Sequence, residues 1–574
     1  MDRMQPVYTE INNCQDCYKC IRECPVKAIR IESDRASIVR DLCIFCGGCT
    51  LICPSGAKKV RDDVSRVKLL LSQDKPVYVS IAPSFVTEFT TYTTEEIIAG
   101  LKMLGFEGIS ETALGAELVS AETAEILHKS SPGVYISSAC PSAVDYIRKY
   151  RPELTSSILD IYSPLMAHAA LLRKIYGDDI RVVFIGPCVS KKNESDDFNS
   201  LIDVAITFKD LRNWFEEEGI LPGLITKTEE AGFVPFRAKD GSLYPLDGGM
   251  VTTLKNIKND PSVSYMHISG MQNIEAALDG LTDLESNTKL FLELLVCDGG
   301  CINGPGTTSQ KGTVVKNVKI ENFRKESNGI TDGTGLIREL PEIRSAFCTV
   351  SQPIVTQDYS EADIQEALRS AGKTSKADEL NCGGCGYNSC RDFAIAMLKD
   401  MAERQMCVSY MRKVASDKAS VLLQRMPYGV VLIDDSLHVI ESNKAFADLV
   451  GNDLPALWSA RPGLQGADLK KMVGYHKIFS NVLSSGNDLI DKNIDDKGKL
   501  MNLSVFTIQK HRIICGIIQD LHQPGIMQQQ VMRQIRQVVH ENMSTVQKVA
   551  FLLGENAART EAMLNSVVSG YEKL

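Results

Sequence analysis

Residues 14–25 read CQDCYKCIRECP and residues 43–54 read CIFCGGCTLICP, so the pattern C-x2-C-x2-C-x3-C-P occurs twice near the start of the chain. In this spacing a tight turn brings three thiolates to three irons of one cubane. The fourth cysteine, followed by proline, reaches the other cluster, so the two halves interlock. The expected 4Fe-4S ligand sets are Cys14, Cys17, Cys20 and Cys53 for one cluster, and Cys43, Cys46, Cys49 and Cys24 for the other. A pair of zinc sites is the alternative, but zinc requires four ligands without a crossed, proline-ended arrangement. The segment is therefore expected to carry electrons.

Outward from this segment the chain runs to 574 residues, a prior of about four domains. With 44% hydrophobic and 24% charged residues it is neither largely disordered nor fibrous. The formal charge of -9, from 63 basic and 72 acidic residues, argues against a chain-wide grip on nucleic acid or anionic lipid. No stretch approaches the ~18 to 20 apolar residues of a membrane span, and MDRMQPVYTE lacks the apolar core of a secretory signal. The expectation is a soluble cytoplasmic protein whose 18 cysteines serve mainly as metal-ligating thiolates in a reducing compartment.

Four further cysteines are dispersed: Cys140 in SSACPSA, Cys188 in IGPCVSKKNES, and Cys297 with Cys301 in ELLVCDGGCINGPG. Each segment closes a short apolar run (VYISSAC, RVVFIGPC, LFLELLVC) in a small-residue loop. An alternating strand and helix fold would gather these loops beyond the strand ends. Four thiolates there suit an iron cluster or zinc, and spacing alone leaves both open.

Residues 76 to about 349 resemble the catalytic domain of the iron-only (FeFe) hydrogenases, whose three loops read approximately TSCCP, MPCxxKxxE and ExMxCxxGCxxGGG. Here SSACP keeps Cys140; GPCVSKKNE keeps Pro187, Cys188, Lys191 and Glu194; ELLVCDGGCINGPG keeps Glu293, Cys297, Gly300, Cys301, Gly304 and Gly306. Ile81 to Ser84 and Gly248 to Met250 also fit. The resemblance implies an H-cluster, in which Cys140, Cys188, Cys297 and Cys301 hold a cubane. Cys301 bridges to a diiron subsite carrying CO, cyanide and a dithiolate amine. It also implies that Lys191 donates to an iron-bound cyanide, that Glu194 belongs to the cofactor-binding set, and that Pro83, Ser84 and Ser138 line the pocket.

This chain departs from the family at instructive places. Ala139 stands where catalytic members carry the first cysteine of TSCCP, the thiol held to pass protons at the diiron site, and a methyl has no proton to give. A positioned acid or base typically contributes roughly 10²- to 10⁴-fold, so slow turnover is expected. Gly186 and Leu295 replace methionines, and Ser163 to Ala167 read SPLMA where the family has SPxQM. Glu122 and Glu125 lie three apart on one helical face, read as a solvated face rather than a proton path.

A third constellation, Cys382, Cys385, Cys390 and Cys407, has the spacing C-x2-C-x4-C-x16-C. Zinc fits this geometry, but the CGGCGYxxC pattern resembles a small helical 4Fe-4S domain of electron-transport and sensory proteins. Cys348 and Cys515 are left as ordinary buried thiols.

Between these motifs, Ser360 and Asp363 form a capping box for a short helix that Gly372 ends. Helical periodicity from Phe393 through Met411 to Leu422 reads as one long helix or two close ones. Residues 422–522 resemble a PAS domain: the GVVLID strand, a turn at Asp434 to Ser436, the strand LHVIESN ending at Asn443, then Phe446 and Gly451 on a helix. His438, His476 and His511 read as ordinary polar residues rather than haem ligands. Apolar steps of three and four from Met527 to Tyr571 suit a coiled coil or a paired helical hairpin, with His540 as a polar helix residue.

The expected architecture is a multidomain α/β chain: a two-cluster 4Fe-4S ferredoxin-like domain (1–62), an H-cluster domain (63–350), a helical 4Fe-4S domain (360–420), an α+β PAS domain (422–522) and signalling or dimerisation helices (523–574). The expected function is a low-turnover sensory FeFe hydrogenase that relays redox state through clusters to the PAS and helical output. Expected partners are H2, ferredoxin, maturation proteins, a downstream kinase or phosphatase and a second copy, with no nucleic acid and no membrane. The alternatives are a metabolic hydrogenase that reduces ferredoxin with H2, and a non-catalytic iron-sulfur scaffold.

Overall fold

A computed structural model of the chain describes residues 5–225, 232–284, 287–327, 340–344, 349–354, 357–496 and 498–521. The expectations for residues 523–574, for His540 and for Cys348 lie outside the described residues. The chain divides into two compact units, Met1–Glu403 and Arg404–Leu574.

The first unit opens with four short strands: β1 (Val7–Thr9), β2 (Ile29–Glu32), β3 (Arg35–Ile38) and β4 (Lys58–Val60). β1 pairs antiparallel with β4, and β2 with β3. The β2–β3 hairpin turns through Ser33 and Asp34, both at positive φ (51° and 58°), the backbone that a two-residue type I′ turn requires. The helices Lys19–Glu23 and Gly48–Ile52 each start from a left-handed residue, Tyr18 or Gly47, and run directly into Cys24 or Cys53. The turns thus place the last cysteine of each motif at a helix end.

Seven parallel strands follow: β5 (Val77–Ile81), β6 (Gly108–Glu111), β7 (Gly133–Ile136), β8 (Arg181–Gly186), β9 (Val204–Thr207), β10 (Ser264–Ser269) and β11 (Lys289–Leu295). They form two sheets, ordered β6-β5-β8-β9 and β10-β11-β7. Every residue of β5, β6, β9 and β11 is buried, because helices cover both faces of a parallel sheet, and the polar Ser80, Ser110, Glu111 and Glu293 are buried along with the apolar majority. One core packs Val79, Ile81, Val183 and Ile185 against Phe85, Phe89, Phe208 and Phe215. A second joins Ile136, Ile147, Leu292 and Leu294 to Ile44 of the N-terminal segment, so the N-terminal domain shares a core with the second sheet.

The helix Ala113–Lys129 meets the helix Pro164–Tyr176 at Gly115, where a Cβ would lie 2.1 Å from the Pro164 carbonyl oxygen. The unit ends with the helices Glu361–Ser370 and Cys390–Leu398, which pack Ile364 and Leu368 against Ala394. Ser360 and Asp363 form the expected capping box, and Gly372 follows at φ +71°. The long helical periodicity resolves into separate helices, Cys390–Leu398 and Val408–Arg425, with Asp400 left-handed between them.

The second unit is an antiparallel sheet of β12 (Gly429–Asp434), β13 (Val439–Ser442), β14 (Leu489–Asp496), β15 (Lys499–Gln509) and β16 (Ile513–Asp520), ordered β13-β12-β16-β15-β14. Four helices between β13 and β14, from Lys444–Val450 to His476–Ser485, close one face over Val431, Ile433, Phe446, Phe479, Leu503 and Ile518. Asn443 caps the first of them: its Oδ1 accepts from the amides of Phe446 and Val430, and its Nδ2 donates to the carbonyl of Tyr428.

Candidate active site

The dispersed cysteines meet as parallel-sheet topology requires. Cys140, Cys188 and Cys297 follow the carboxyl ends of β7, β8 and β11, the region where open α/β sheets bind ligands, and Cys301 closes the last loop. Burial pushes the Cys188 thiol up to about 11, with Cys140 its foremost like-charge neighbour. Cys301 is raised further still, mainly by burial, with Cys140 and Cys188 beside it. Cys297 is raised by burial with Cys301, Cys188, Cys140 and Cys46 around it. Burial disfavours the thiolate here, and a bound metal would supply the compensating charge.

Among the described residues no three His, Cys, Asp or Glu side chains converge closely enough to hold a single metal ion. A tetrahedral Zn–S bond of about 2.3 Å would bring sulfurs to about 3.8 Å from one another. The four thiols are mutual neighbours, the donor set of a cysteine-held iron-sulfur cluster.

Beside Cys188 and Cys301 lies a largely apolar cavity enclosing about 650 Å³, part of it open to solvent, walled by Pro83, Ser84, Thr112, Ala139, Lys191, Tyr244, Glu293 and Leu295 among others. The Ser84 hydroxyl is buried with no hydrogen-bond partner. Lys191 Nζ donates to Ser163 Oγ at 2.9 Å and to Glu194 Oε2 at 2.8 Å, leaving the ammonium one further N–H. An apolar chamber with an unpaired hydroxyl, a spare ammonium donor and two thiols fits a polar, cysteine-anchored diiron group.

Ala139 contributes a methyl to the wall. Ser138, expected to line the pocket, is buried but does not border the cavity; the turn before Cys140 presents Ala139 instead. Glu194 serves the site through Lys191 and is not itself a wall residue. Gly186 has a local reason, since a Cβ there would lie 2.3 Å from the Phe184 ring, which fills the space. Glu122 pairs with Arg344 at 2.7 Å, and Glu125 with Lys129 on the outer face of the helix, so neither borders the cavity.

Three polar features gain partners that the sequence did not show, Glu293 among them although its motif is legible there. Burial raises the Glu293 carboxyl to about 8, against the amides of Met250 and Val251 that donate to it at 3.2 and 2.9 Å. Tyr244 shares a hydrogen bond of 2.8 Å with Ser120. His168 lies fully buried between Ser80, 2.8 Å from Nδ1, and Ser110, 2.9 Å from Nε2, and Ser80 continues to Thr112 at 2.7 Å. A lone histidine in the apolar run MAHAALL was the one local signal.

In the N-terminal domain, burial raises Cys20 to about 11, and its cysteine neighbours are Cys17, Cys14 and Cys53. Those of Cys49, also raised by burial, are Cys46, Cys24 and Cys43. Backbone amides of Ala28, Phe45 and Ala57 donate to the sulfurs of Cys24, Cys43 and Cys53 at 3.2 to 3.3 Å. Cys382, Cys385 and Cys390 lie in the first unit and Cys407 in the second. In that second unit His438 lies beside Asp434, while His476 and His511 are hydrogen-bonded to the carbonyls of Val473 and Leu483. Cys515 lies on β16, its thiol raised to about 12 by burial.

No helix among the described residues is long and apolar enough to cross a membrane. Residues 75–305 match the family described as "Iron only hydrogenase large subunit, C-terminal domain", residues 13–58 the "4Fe-4S dicluster domain", and residues 378–409 a family describing an Fe-S cluster segment. Iron hydrogenase 1 of Clostridium pasteurianum is 25% identical over 326 residues, 47% of this chain and 57% of that protein. NADP-reducing hydrogenase subunit HndD of Solidesulfovibrio fructosivorans is 22% identical over 385 residues, 54% of this chain and 65% of that protein. An uncharacterized ferredoxin of Methanocaldococcus jannaschii is 39% identical over 49 residues, 8% of this chain and 79% of that protein. The chain thus spans 57 and 65% of the two hydrogenase relatives. It carries an iron-only hydrogenase large-subunit domain, preceded by a segment that belongs to the two-cluster 4Fe-4S ferredoxins.

Proposed function

We propose that the protein is a sensory FeFe hydrogenase that binds or slowly oxidises H2 at an H-cluster held by Cys140, Cys188, Cys297 and Cys301. Redox state then passes through 4Fe-4S clusters to a PAS domain and C-terminal helices, which engage a kinase or phosphatase. The observation that carries this reading is Ala139: a methyl on the cavity wall, beside Cys188 and Lys191, where a working site needs a proton donor. The strand order of the second unit and its four helices between the second and third strands support the PAS assignment.

The diiron group, when bound, supplies the two-electron chemistry of H2. The chain's own residues do the rest. Lys191, oriented by Ser163 and Glu194, holds its remaining donor for a cyanide ligand, Ser84 offers a hydroxyl, and Pro83, Phe184 and Leu165 exclude water. Glu293 favours a second reading, a metabolic hydrogenase delivering electrons to ferredoxin, because a wall carboxyl raised to about 8 holds a proton at neutral pH.

The test is an anaerobic infrared spectrum after diiron maturation, under argon and then H2. CO and cyanide bands that shift with H2, together with altered hydrogen exchange in residues 429–521, support sensing. Rapid steady-state turnover with no change in the second unit supports the metabolic enzyme. No bands, under maturation that loads a control hydrogenase, overturn both.

A further inference from the structure

The glycine-rich loop of the third cysteine motif packs on the N-terminal electron-carrier domain. Arg22 Nη1 donates to the Gly384 carbonyl at 3.3 Å. Gly386, at φ +93°, approaches so closely that a Cβ would lie 2.9 Å from Ile21 Cγ2. Cys385 lies between these two glycines, and Cys24 follows Arg22 by two residues. Cys385 and Cys24 both lie beside Tyr387 and beside Lys27. The contact is broad: Ile31 N donates to Met401 O at 3.1 Å, and Ser33 N to Glu403 Oε1 at 2.9 Å. Lys27 Nζ donates to the Ile21 and Arg22 carbonyls at 3.0 Å each, tying the end of the helix that carries Cys24.

The opposite side of the same cysteine set faces the H-cluster domain. Lys149 Nζ donates to the Cys43 carbonyl at 2.7 Å, and Tyr150 OH to the Leu42 carbonyl at 2.6 Å. A Cβ on Gly47 would lie 2.6 Å from the Pro305 ring, in the loop that follows Cys301. Ile44 belongs to the core of β7 and β11, and Cys46 and Cys140 both pack against it. On the other cysteine set, Cys53 Sγ accepts from Ala57 N, and nearby Lys58 Nζ donates to Thr9 and Ala36, all within the N-terminal domain.

We propose that the cluster of Cys24, Cys43, Cys46 and Cys49 is the branch point of the electron path. It stands between the cysteine site at the sheet ends and the Cys382–Cys390 loop, and the cluster of Cys14, Cys17, Cys20 and Cys53 occupies a side arm. Each step moves one electron from a reduced cubane to an oxidised one, with no bond broken. The inference rests on the cysteine sets being cluster sites and not on H2 chemistry.

The test uses the full chain reconstituted with iron and sulfide and left without the diiron group, so its outcome is independent of hydrogenase activity. The protein is reduced stepwise and read by electron paramagnetic resonance, the third-motif signal being the one absent from Cys385→Ala. That signal should split and relax faster when the branch cluster is reduced, and Cys49→Ala should abolish the effect while Cys14→Ala leaves it. Arg22→Ala, which keeps every ligand, should weaken it. Coupling to the cluster lost in Cys14→Ala, or no coupling in the unmutated protein, would overturn the proposal.

Discussion

The Lys191 ammonium lies 2.8 Å from Glu194, three residues on along the same helix, with side chains only 10% and 8% exposed. Removing one partner of a buried pair strands the other charge, at a cost of about 3–5 kcal/mol. Lys191→Met should therefore lower the melting midpoint and lose the CO and cyanide bands of the matured protein. Glu194→Gln, which keeps an oxygen acceptor, should retain the bands at altered frequency. Infrared spectra of the two variants check this.

Restoring a thiol at the cavity wall tests what limits turnover. Ala139→Cys should raise H2 evolution by roughly 10²- to 10⁴-fold at unchanged iron content, the usual contribution of a positioned proton donor. Assays with a strong reductant, normalised to diiron loading, measure it. An unchanged rate would point to Glu293 as the working donor.

Glu111, at the end of β6, accepts from Ala238 N at 2.8 Å, and burial raises its carboxyl from 4.5 to about 7. The folded form therefore binds a proton that the unfolded chain has released between these values. Stability from this group is complete below about pH 4.5 and declines as pH rises towards 7. At about 1.4 kcal/mol per unit the decline is at most about 3.5 kcal/mol. The melting midpoint of Glu111→Gln relative to the unmutated protein should rise across pH 5 to 7.5.

Gly115→Ala should be strongly destabilising, because the added methyl would meet the Pro164 carbonyl at 2.1 Å and the His168 amide nitrogen at 2.6 Å. Overpacking of this kind typically costs about 1–3 kcal/mol. Hydrogen exchange should rise in both crossing helices and remain unchanged in β12 to β16.

Spacing made the cysteine sets legible, because turns that deliver thiolates to a cluster tolerate few lengths. Three strands, β7, β8 and β11, were legible as apolar runs ending in those cysteines. For other parts of the site the sequence held the residue but not its partners. Glu293 is held by amides some 40 residues away, and His168 by hydroxyls on two other strands, so only the folded chain joins them. Of Ser138 and Ala139, both expected at the cavity, only Ala139 borders it, because the direction of one turn decides which side chain faces in. Glu122 and Glu125, three apart and read as a solvated face, do pair outward with Arg344 and Lys129.

Burial lowers His168 to about 3, so the ring stays neutral and has one N–H and one bare nitrogen. If Nε2 carries the hydrogen, Ser80 must spend its only proton on Nδ1, and Thr112 must spend its own on Ser80. If Nδ1 carries it, Ser110 donates to Nε2, Ser80 is free to donate to Thr112, and the Thr112 hydrogen is released to the cavity that it borders. A tautomer choice made deep beneath the wall thus decides whether that wall presents a donor or only an acceptor, with no change of net charge and no movement of a heavy atom.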